Sequence, residues 1–389
     1  MTSAFVTWLP LAIVSGILGN TVFLVGSFVL LLLGAEIFTN GVEWLGQYLG
    51  LGDSATGSIL AAVGTALPET LIPVIAILGA YLSGEGSESA SDIGVGAILG
   101  APFLLATIAM FLVGVSVLVF SGRRDHGSEF YVNDESTQRD LFFFFVGYVF
   151  AVAAAFVTGI ATVAIGAFLV FWYGLYLYRT ISADDMVEGE EELDPLYLGR
   201  IVERLGGDPA TDDDGHSEDP AGWTVGLQTL IALALIIGGA QLFVSEVSYF
   251  SNQVLSIPAA ILSLLLAPFA TELPEKFNSI IWIADDKDTL ALGNITGAMA
   301  FQGTLPVTLG ILFTTWDLTL QWGTTGFLNA LSAVLALVSA AILYVRARRD
   351  TTDSMHPAPF LVGGLFYALF IGIVLYHVFV IGLSGVPAH

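Results

Sequence analysis

The sequence predicts an all-α integral membrane protein of ten transmembrane helices, arranged as two inverted repeats of five helices. Three observations predict this fold class: the apolar composition, the position of the basic residues, and a set of motifs that occurs twice in the chain.

The composition is that of a membrane protein. Of 389 residues, 55% are hydrophobic and only 12% are charged, against about 25% charged in soluble domains. Mean hydropathy is +0.82. The stretches 141–178, 289–316 and 318–345 contain no charged residue. Closed β-barrels would instead show short alternating segments, and that pattern is absent from the sequence.

Apolar runs of about 20 residues mark membrane-spanning helices. Residues 1–20 are also apolar but have no basic n-region, which favours a pre-helix leading into the first span over a cleaved signal peptide or an eleventh span. The predicted spans are 22–44, 55–81, 92–119, 141–158, 160–178, 224–250, 258–283, 289–313, 325–345 and 359–383.

The basic residues fix the predicted orientation. Ten of the eleven Lys and Arg residues lie between spans, and a ten-span count places all of these loops on one face. The positive-inside rule makes that face cytoplasmic, so both termini are expected outside the cell. The residues are Arg123, Arg124, Arg139, Arg179, Arg200, Arg204, Lys287, Arg346, Arg348 and Arg349.

The longest loop is strongly acidic. Residues 182–222 hold fourteen Asp and Glu residues but lack the D-x-D-x-D-G pattern of a calcium-binding loop. We therefore interpret 181–222 as a solvated cytoplasmic linker between two halves, 1–180 and 223–389.

The overall charge of the chain is informative about the habitat of the organism rather than about the function of the protein. The formal net charge is −24, and Lys276 and Lys287 are the only lysines. Such an acidic, lysine-poor chain suggests a halophilic organism, because high salt screens self-repulsion. The absence of cysteine excludes thiol redox chemistry and thiolate metal sites.

Three motifs occur in the same order in both halves, within 34–120 and 239–313. Because each half has five spans, an odd number, the two copies would enter the membrane from opposite faces. This is the inverted-repeat architecture of many secondary transporters, whose ion sites lie at the repeat interface. The matches are GAEIF (34–38) with GAQLF (239–243), GTALPE (64–69) with ATELPE (270–275), and GAILGA (96–101) with GNITGA (293–298).

The segments GTALPE (64–69) and ATELPE (270–275), called here the two Pro-Glu elements, place charged residues where a bilayer has hydrocarbon. Glu69, Glu272, Glu275 and Lys276 would together cost roughly 10 kcal/mol if left unpaired there. We therefore expect them to face one another, water or bound ions. A buried ion pair that only joins helices is the structural alternative.

The prolines of these elements strengthen the cation interpretation. Pro68 and Pro274 each lack an N–H and free a carbonyl one turn earlier, and such carbonyls need partners in a membrane. A Glu after each proline and a Thr four residues before that Glu, Thr65 and Thr271, bring carboxylate and carbonyl oxygens together. Hard cations such as calcium prefer these ligands.

Three further residues belong to the candidate site. Asn294 and Gln302 share a face of the eighth span, where their amides could coordinate a cation or hydrogen-bond another helix. Lys276 could pair with Glu272 at i, i+4, or stand in for a bound monovalent cation. Three glutamates and one lysine leave a charge of about −2, which one divalent cation would neutralise.

With these motifs, the sequence resembles the cation/calcium exchanger superfamily, in particular its sodium/calcium exchanger membrane region. The family repeats typically read G-T-S-L-P-E followed by G-N-x-x-G-S-N. The resemblance implies that Glu69 and Glu275 are the central ligands, helped by carbonyls near Thr65 and Thr271. The chain departs from the pattern at Ala66, Glu272, Ala101, Ala298, Leu105 and Gln302, so its flanking ligands are fewer and asymmetric.

The sequence therefore predicts a secondary antiporter, not an enzyme, that exchanges calcium or a similar cation for sodium across the cell membrane by alternating access. A proton-coupled cation exchanger of the same fold is the alternative. Calcium with sodium or protons would be the transported ions, with no permanently bound cofactor. The expected partners are inorganic cations and the lipid bilayer, with neither nucleic acid nor an obligatory protein partner.

A nucleotide-binding G-x-x-x-x-G-K-[ST] motif is absent, and the spans lack the H-E-x-x-H or facing aspartates that an intramembrane hydrolase needs. A channel remains a rival, which exchange stoichiometry would exclude.

Overall fold

The helices of this computed structural model correspond closely to the apolar runs of the sequence. The structure describes residues 16–48, 61–83, 88–132, 134–182, 194–204, 220–349 and 354–382; the side chains of 61–68 and 273–275 lie outside the description. The helices are α1 (Ile17–Tyr48), α2 (Ala61–Ser83), α3 (Glu88–Leu104), α4 (Met110–Phe120), α5 (Asp134–Ala153), α6 (Ile160–Ser182), α7 (Tyr197–Arg204), α8 (Gly222–Tyr249), α9 (Ala259–Thr271), α10 (Leu273–Ala284), α11 (Asp288–Gln302), α12 (Leu305–Phe313), α13 (Thr325–Arg349) and α14 (Ala358–Tyr376).

Within the described residues, eight helical stretches are long and apolar enough to cross a membrane. α3 continues into α4 through a π-helical turn, Leu105–Ala109, and the two make one such stretch. The other two predicted spans correspond to shorter elements. α2 is described from Ala61, and the span predicted at 258–283 is divided into α9 and α10. A multi-pass helical protein is confirmed, whereas ten spans in two inverted repeats stays a prediction. Residues 1–15, where a pre-helix is expected, lie outside the described ranges.

The helices pack in matching pairs from the two halves of the chain. α1 lies against α8, and α5 lies against α13. α3 packs on α13 while α11 packs on α5, and α4 packs on α14 while α12 packs on α6. The core between them contains large side chains such as Phe103, Phe144 and Phe243, all fully or almost fully buried.

Glycines of the repeated motif allow α3 and α9 to approach closely. A Cβ added to Gly96 would lie 2.0 Å from the carbonyl oxygen of Ala260, and one on Gly100 would lie 2.3 Å from that of Leu264. Small residues four apart permit this kind of contact between membrane helices. The glycines of GAILGA therefore have a packing role that is independent of any ligand.

This packing gives a first prediction. We expect Gly100→Ala to destabilise the protein by roughly 1–3 kcal/mol, because the new methyl group would overlap backbone atoms of α9. The matched control is Gly297→Ala at the corresponding position of the second half, where the nearest atom to an added Cβ is the Tyr176 hydroxyl at 3.4 Å. Thermal unfolding in detergent measures both variants, and equal losses would contradict the close approach.

Several of the predicted basic loops meet at one end of the helix bundle. A two-residue antiparallel ladder pairs Phe130 with Met355 and Tyr131 with Ser354, joining the loop after α4 to the loop after α13. The guanidinium of Arg124, in the first of these loops, contacts Asp286 at 3.3 Å and Asp288 at 2.5 Å. The loops after α4, α10 and α13 therefore lie on the same face, as the distribution of basic residues predicts.

The described part of the acidic linker is bound to the α1–α8 pair. The backbone carbonyl of Asp194 accepts hydrogen bonds from Asn40 at 3.0 Å and from the Trp44 indole at 2.8 Å. Gln228 of α8 accepts one from the Leu198 backbone N–H at 2.7 Å and donates another to Asn40 at 2.8 Å. This end of the linker is anchored by specific contacts, while 183–193 and 205–219 lie outside the described residues.

Candidate cation site

The Pro-Glu element of the second half lies at an interruption between two helices. α9 ends at Thr271, Glu272 forms a turn, and α10 begins at Leu273 with Pro274 in its first turn, a position that proline favours. The expected helix break is therefore present here. In the first half, by contrast, the backbone of α2 remains helical through Pro68.

Two carboxylates meet at one amide. Gln302, the last residue of α11, donates from Nε2 to Oε2 of Glu69 and, at 3.1 Å, to Oε1 of Glu272. Both glutamates therefore lie within hydrogen-bonding distance of a single nitrogen, so these two oxygens are no more than about 6 Å apart. The Glu69 side chain comes from α2 and that of Glu272 from the turn before α10, so the contact joins the two halves of the chain.

The cluster is almost completely shielded from solvent. Glu69 is 8% exposed, Glu272 0% and Gln302 1%. Carboxylates this deeply buried are retained only with partners or bound ions. Two carboxylates and an amide provide the hard oxygen atoms that alkali and alkaline-earth cations prefer. An amide can also present either its N–H or its oxygen to a neighbour, depending on how it is turned.

Lys276 lies on the other side of Glu272. Its Nζ is 3.9 Å from Oε2 of Glu272 and 3.5 Å from the backbone oxygen of Asn294. The side chain is 1% exposed. Glu272 therefore contacts Gln302 through one carboxylate oxygen and the ammonium through the other.

The remaining predicted site residues fall into two groups. The Asn294 side chain donates to the Ser279 hydroxyl at 3.1 Å, so its amide joins α11 to α10, one of the two roles that the sequence leaves open. The Thr271 hydroxyl donates to the carbonyl of Ala267 in its own helix at 3.2 Å. Thr65, Pro68, Pro274 and Glu275 have side chains outside the description. In the described part of the chain, no group of three or more acidic, His or Cys side chains lies close enough to hold a metal ion, so Glu69 and Glu272 are the carboxylates of the described cluster.

A second buried carboxylate lies on the opposite face of α11. Asp140 of α5 is 4% exposed and accepts hydrogen bonds from Thr296 at 2.7 Å and from Tyr176 at 3.2 Å. Arg139 lies 3.5 Å from it. Because residues two apart on a helix point about 200° apart, Thr296 faces α5 while Asn294 faces α10.

Asp140 lies just outside the predicted span, which begins at residue 141, and the basic-residue pattern predicts a loop at Arg139. The structure corrects this assignment, since α5 starts at Asp134 and includes both residues. The uninterrupted run of apolar residues that follows Asp140 hides the start of the helix. The available signal was Thr296, a polar residue in the otherwise apolar predicted span 289–313 that needs a buried partner.

Comparison with known proteins identifies the family. The family model described as "Sodium/calcium exchanger protein" matches residues 19–182 and 225–379, which is most of the chain. This chain belongs to the sodium/calcium exchanger protein family. Each matched segment includes one of the two Pro-Glu elements. The gap between the segments, residues 183–224, covers most of the acidic linker.

Individual relatives of this exchanger-family chain are distant. A protein of Alkalimonas amylolytica named as an antiporter, CaxA, is 22% identical over 284 residues, which cover 72% of this chain and 77% of that protein. The crystal structure of the H+/Ca2+ exchanger CAX has a TM-score of 0.64 at 15% identity, covering 92% of this chain and 85% of that one. A structure of the sodium-calcium exchanger NCX_Mj, soaked with Na+ and Sr2+, has a TM-score of 0.50 at 18% identity, covering 91% and 98%. At such identities the structural likeness shows a shared fold.

Proposed function

We propose that this chain is a secondary active antiporter that exchanges calcium, or a similar cation, for sodium across the cell membrane. The observation that carries the proposal is the contact of Glu69 and Glu272, from two halves of the chain, with the single amide of Gln302. The family membership and the relatives named as calcium exchangers support it.

Within this proposal, Glu69, Glu272 and Glu275 are the charged ligands of the transported cation. The Gln302 amide separates two carboxylates through its N–H groups, and by turning it can offer its oxygen to a cation. Carbonyls near Thr65, Thr271 and the prolines would complete the ligand set, and Asn294 holds α11 against α10. Calcium and sodium are substrates in this scheme, and no resident cofactor is invoked.

We further propose the inverted-repeat plan, with halves 1–180 and 223–389 joined by the acidic linker 181–222. The reciprocal packing of α3 with α13 and α11 with α5, and of α4 with α14 and α12 with α6, supports a pseudo-two-fold relation. The third helix is also interrupted in both halves, by the π turn at Leu105–Ala109 and between α11 and α12 at Gly303 and Thr304. Such symmetry permits alternating access around a central site.

The face with the basic loops and the acidic linker is, in this proposal, cytoplasmic. The acidic, lysine-poor composition fits an organism that lives in high salt.

The coupling ion is tested by gradient exchange. Purified protein in liposomes should take up calcium against its concentration gradient when sodium is high inside and low outside. A pH gradient, acidic inside and without sodium, should drive much less uptake. Greater calcium uptake with the pH gradient than with the sodium gradient would favour the proton-coupled exchanger of the same fold. Net calcium uptake against its concentration gradient, with neither a sodium nor a pH gradient, would contradict coupled exchange.

A further inference from the structure

Lys276 is a charged residue that the ordinary ligand set of a divalent cation does not need. It is one of two lysines in the chain and is 1% exposed, beside Glu272 of the candidate site. An ammonium in such a place is costly, and ionisable residues inside membrane segments usually serve the transport pathway. The other lysine, Lys287, is exposed in the turn before α11.

The ammonium contacts oxygen atoms of two different helical elements. Nζ lies within 4 Å of two oxygens, Oε2 of Glu272 at 3.9 Å and the backbone oxygen of Asn294 at 3.5 Å. These oxygens come from the helix break and from α11. The ammonium therefore contacts a backbone carbonyl as well as the Glu272 carboxylate. Carboxylates and backbone carbonyls are also the groups that hold alkali cations in transporters.

Glu272 divides the site into two positions. Its Oε1 faces Gln302, and through Gln302 also Glu69, while its Oε2 faces Lys276. The first position offers two carboxylates to a transported ion. The second is already filled by a positive charge covalently attached to the chain.

We propose that the Lys276 ammonium is a tethered cation, which permanently occupies a monovalent-ion position beside the transport site. This inference rests on the proposed antiport function and specifies its ion selectivity. It predicts that the wild-type protein needs no monovalent cation at this position, and that removal of the ammonium creates a site for a mobile one.

The test compares four variants by two readouts: exchange of labelled for unlabelled calcium across liposomes, which needs no sodium gradient, and melting temperature in detergent. Each is measured in sodium, potassium and choline chloride at equal ionic strength. We expect potassium, relative to choline, to raise the calcium exchange rate of Lys276→Gln several-fold and to raise its melting temperature, whereas wild type should show neither effect. Sodium is compared separately, because it is itself a proposed substrate. Lys276→Arg keeps the charge and should show no such preference. Lys287→Gln removes the other lysine and should behave as wild type. The double variant E272Q/K276Q removes both charges and should lose the preference gained by K276Q.

The outcomes for Lys276→Gln and E272Q/K276Q distinguish a tethered cation from a purely structural lysine. An active Lys276→Gln protein without a new monovalent-ion preference would overturn the tethered-cation proposal. If Lys276→Gln does not fold, a folded E272Q/K276Q protein would support it, because only the uncompensated carboxylate is then harmful. If Lys276→Gln folds but is inactive, a higher melting temperature in potassium than in choline chloride, which E272Q/K276Q lacks, would support it. Equal melting temperatures of Lys276→Gln in potassium and choline chloride, or failure of both variants to fold, would overturn it and assign Lys276 a purely structural role. A wild-type protein that exchanges no calcium would refute the proposed function instead, and the melting temperatures in the three salts would still decide whether K276Q has gained a monovalent-ion site.

Discussion

Glu69→Gln is expected to abolish calcium uptake, lowering it on the order of 100-fold or more. The substitution keeps the size of the side chain but removes the charge that a buried cation needs. Glu69 is 8% exposed and shares the Gln302 amide with Glu272, so water cannot replace the lost charge. Uptake of radioactive calcium into liposomes measures the effect, and Glu275→Gln is expected to behave in the same way.

A matched control is available on α1. Glu36 is an exposed carboxylate that accepts a hydrogen bond from the Tyr197 hydroxyl at 2.8 Å, outside the candidate site. Glu36→Gln makes the same chemical change and should leave calcium uptake close to that of wild type. Uptake by Glu69→Gln at the level of Glu36→Gln would remove Glu69 from the site.

Arg124→Met is expected to cost about 3–5 kcal/mol of stability, because it leaves the buried Asp288 carboxylate without its counterion. The Arg124 side chain is fully buried, with its guanidinium on Asp288 at 2.5 Å and on Asp286 at 3.3 Å. It also donates to the backbone oxygen of Glu129 at 3.0 Å. These contacts connect the loop after α4 to the turn between α10 and α11. Thermal unfolding in detergent measures the loss.

Arg123 supplies the control for this prediction. It is the preceding residue, has a 71% exposed side chain, and lies 3.5 Å from Asp285. Exposed ion pairs contribute little to stability, so Arg123→Met should unfold near the wild-type temperature. Equal melting temperatures for the two variants would show that the buried network does not hold this end of the bundle.

The same network has a predicted pH dependence. The hydrogen bond from the backbone N–H of Asp125, together with the charges of Arg124 and His126, holds the pKa of Asp286 below its ordinary value of 3.8. A lowered pKa in the folded protein stabilises it when the carboxylate is ionised. That contribution is present above the ordinary pKa and is lost as the pH falls through the lowered value.

Much of the fold follows from hydropathy alone. The predicted span 289–313 corresponds to Asp288–Phe313, and 325–345 to Thr325–Arg348, since apolar runs leave little choice of secondary structure in a bilayer. Pro274 correctly predicts a helix break. Pro68 is followed by an equivalent Glu but lies within a continuous helix, because the effect of a proline depends on which neighbouring groups satisfy the freed carbonyl.

The candidate site was predictable in composition but not in its contacts. Asn294 and Gln302 share a face of α11, and yet Asn294 reaches Ser279 while Gln302 reaches both glutamates. Helical spacing gives the direction of a side chain, whereas its partner depends on how neighbouring helices are placed. The Asp140 contacts with Thr296 and Tyr176 were missed for the same reason, since the three residues are brought together by the packing of α5, α6 and α11.

The central claim is that one cation site is exposed alternately to the two sides of a membrane. Calcium counterflow tests it most directly: liposomes containing the wild-type protein are loaded with unlabelled calcium, then diluted into a trace of labelled calcium without any other ion gradient. An alternating-access exchanger should accumulate the label transiently above its equilibrium level, and Glu69→Gln should not. Entry of the label only up to equilibrium, with no overshoot, would indicate a channel and contradict the account.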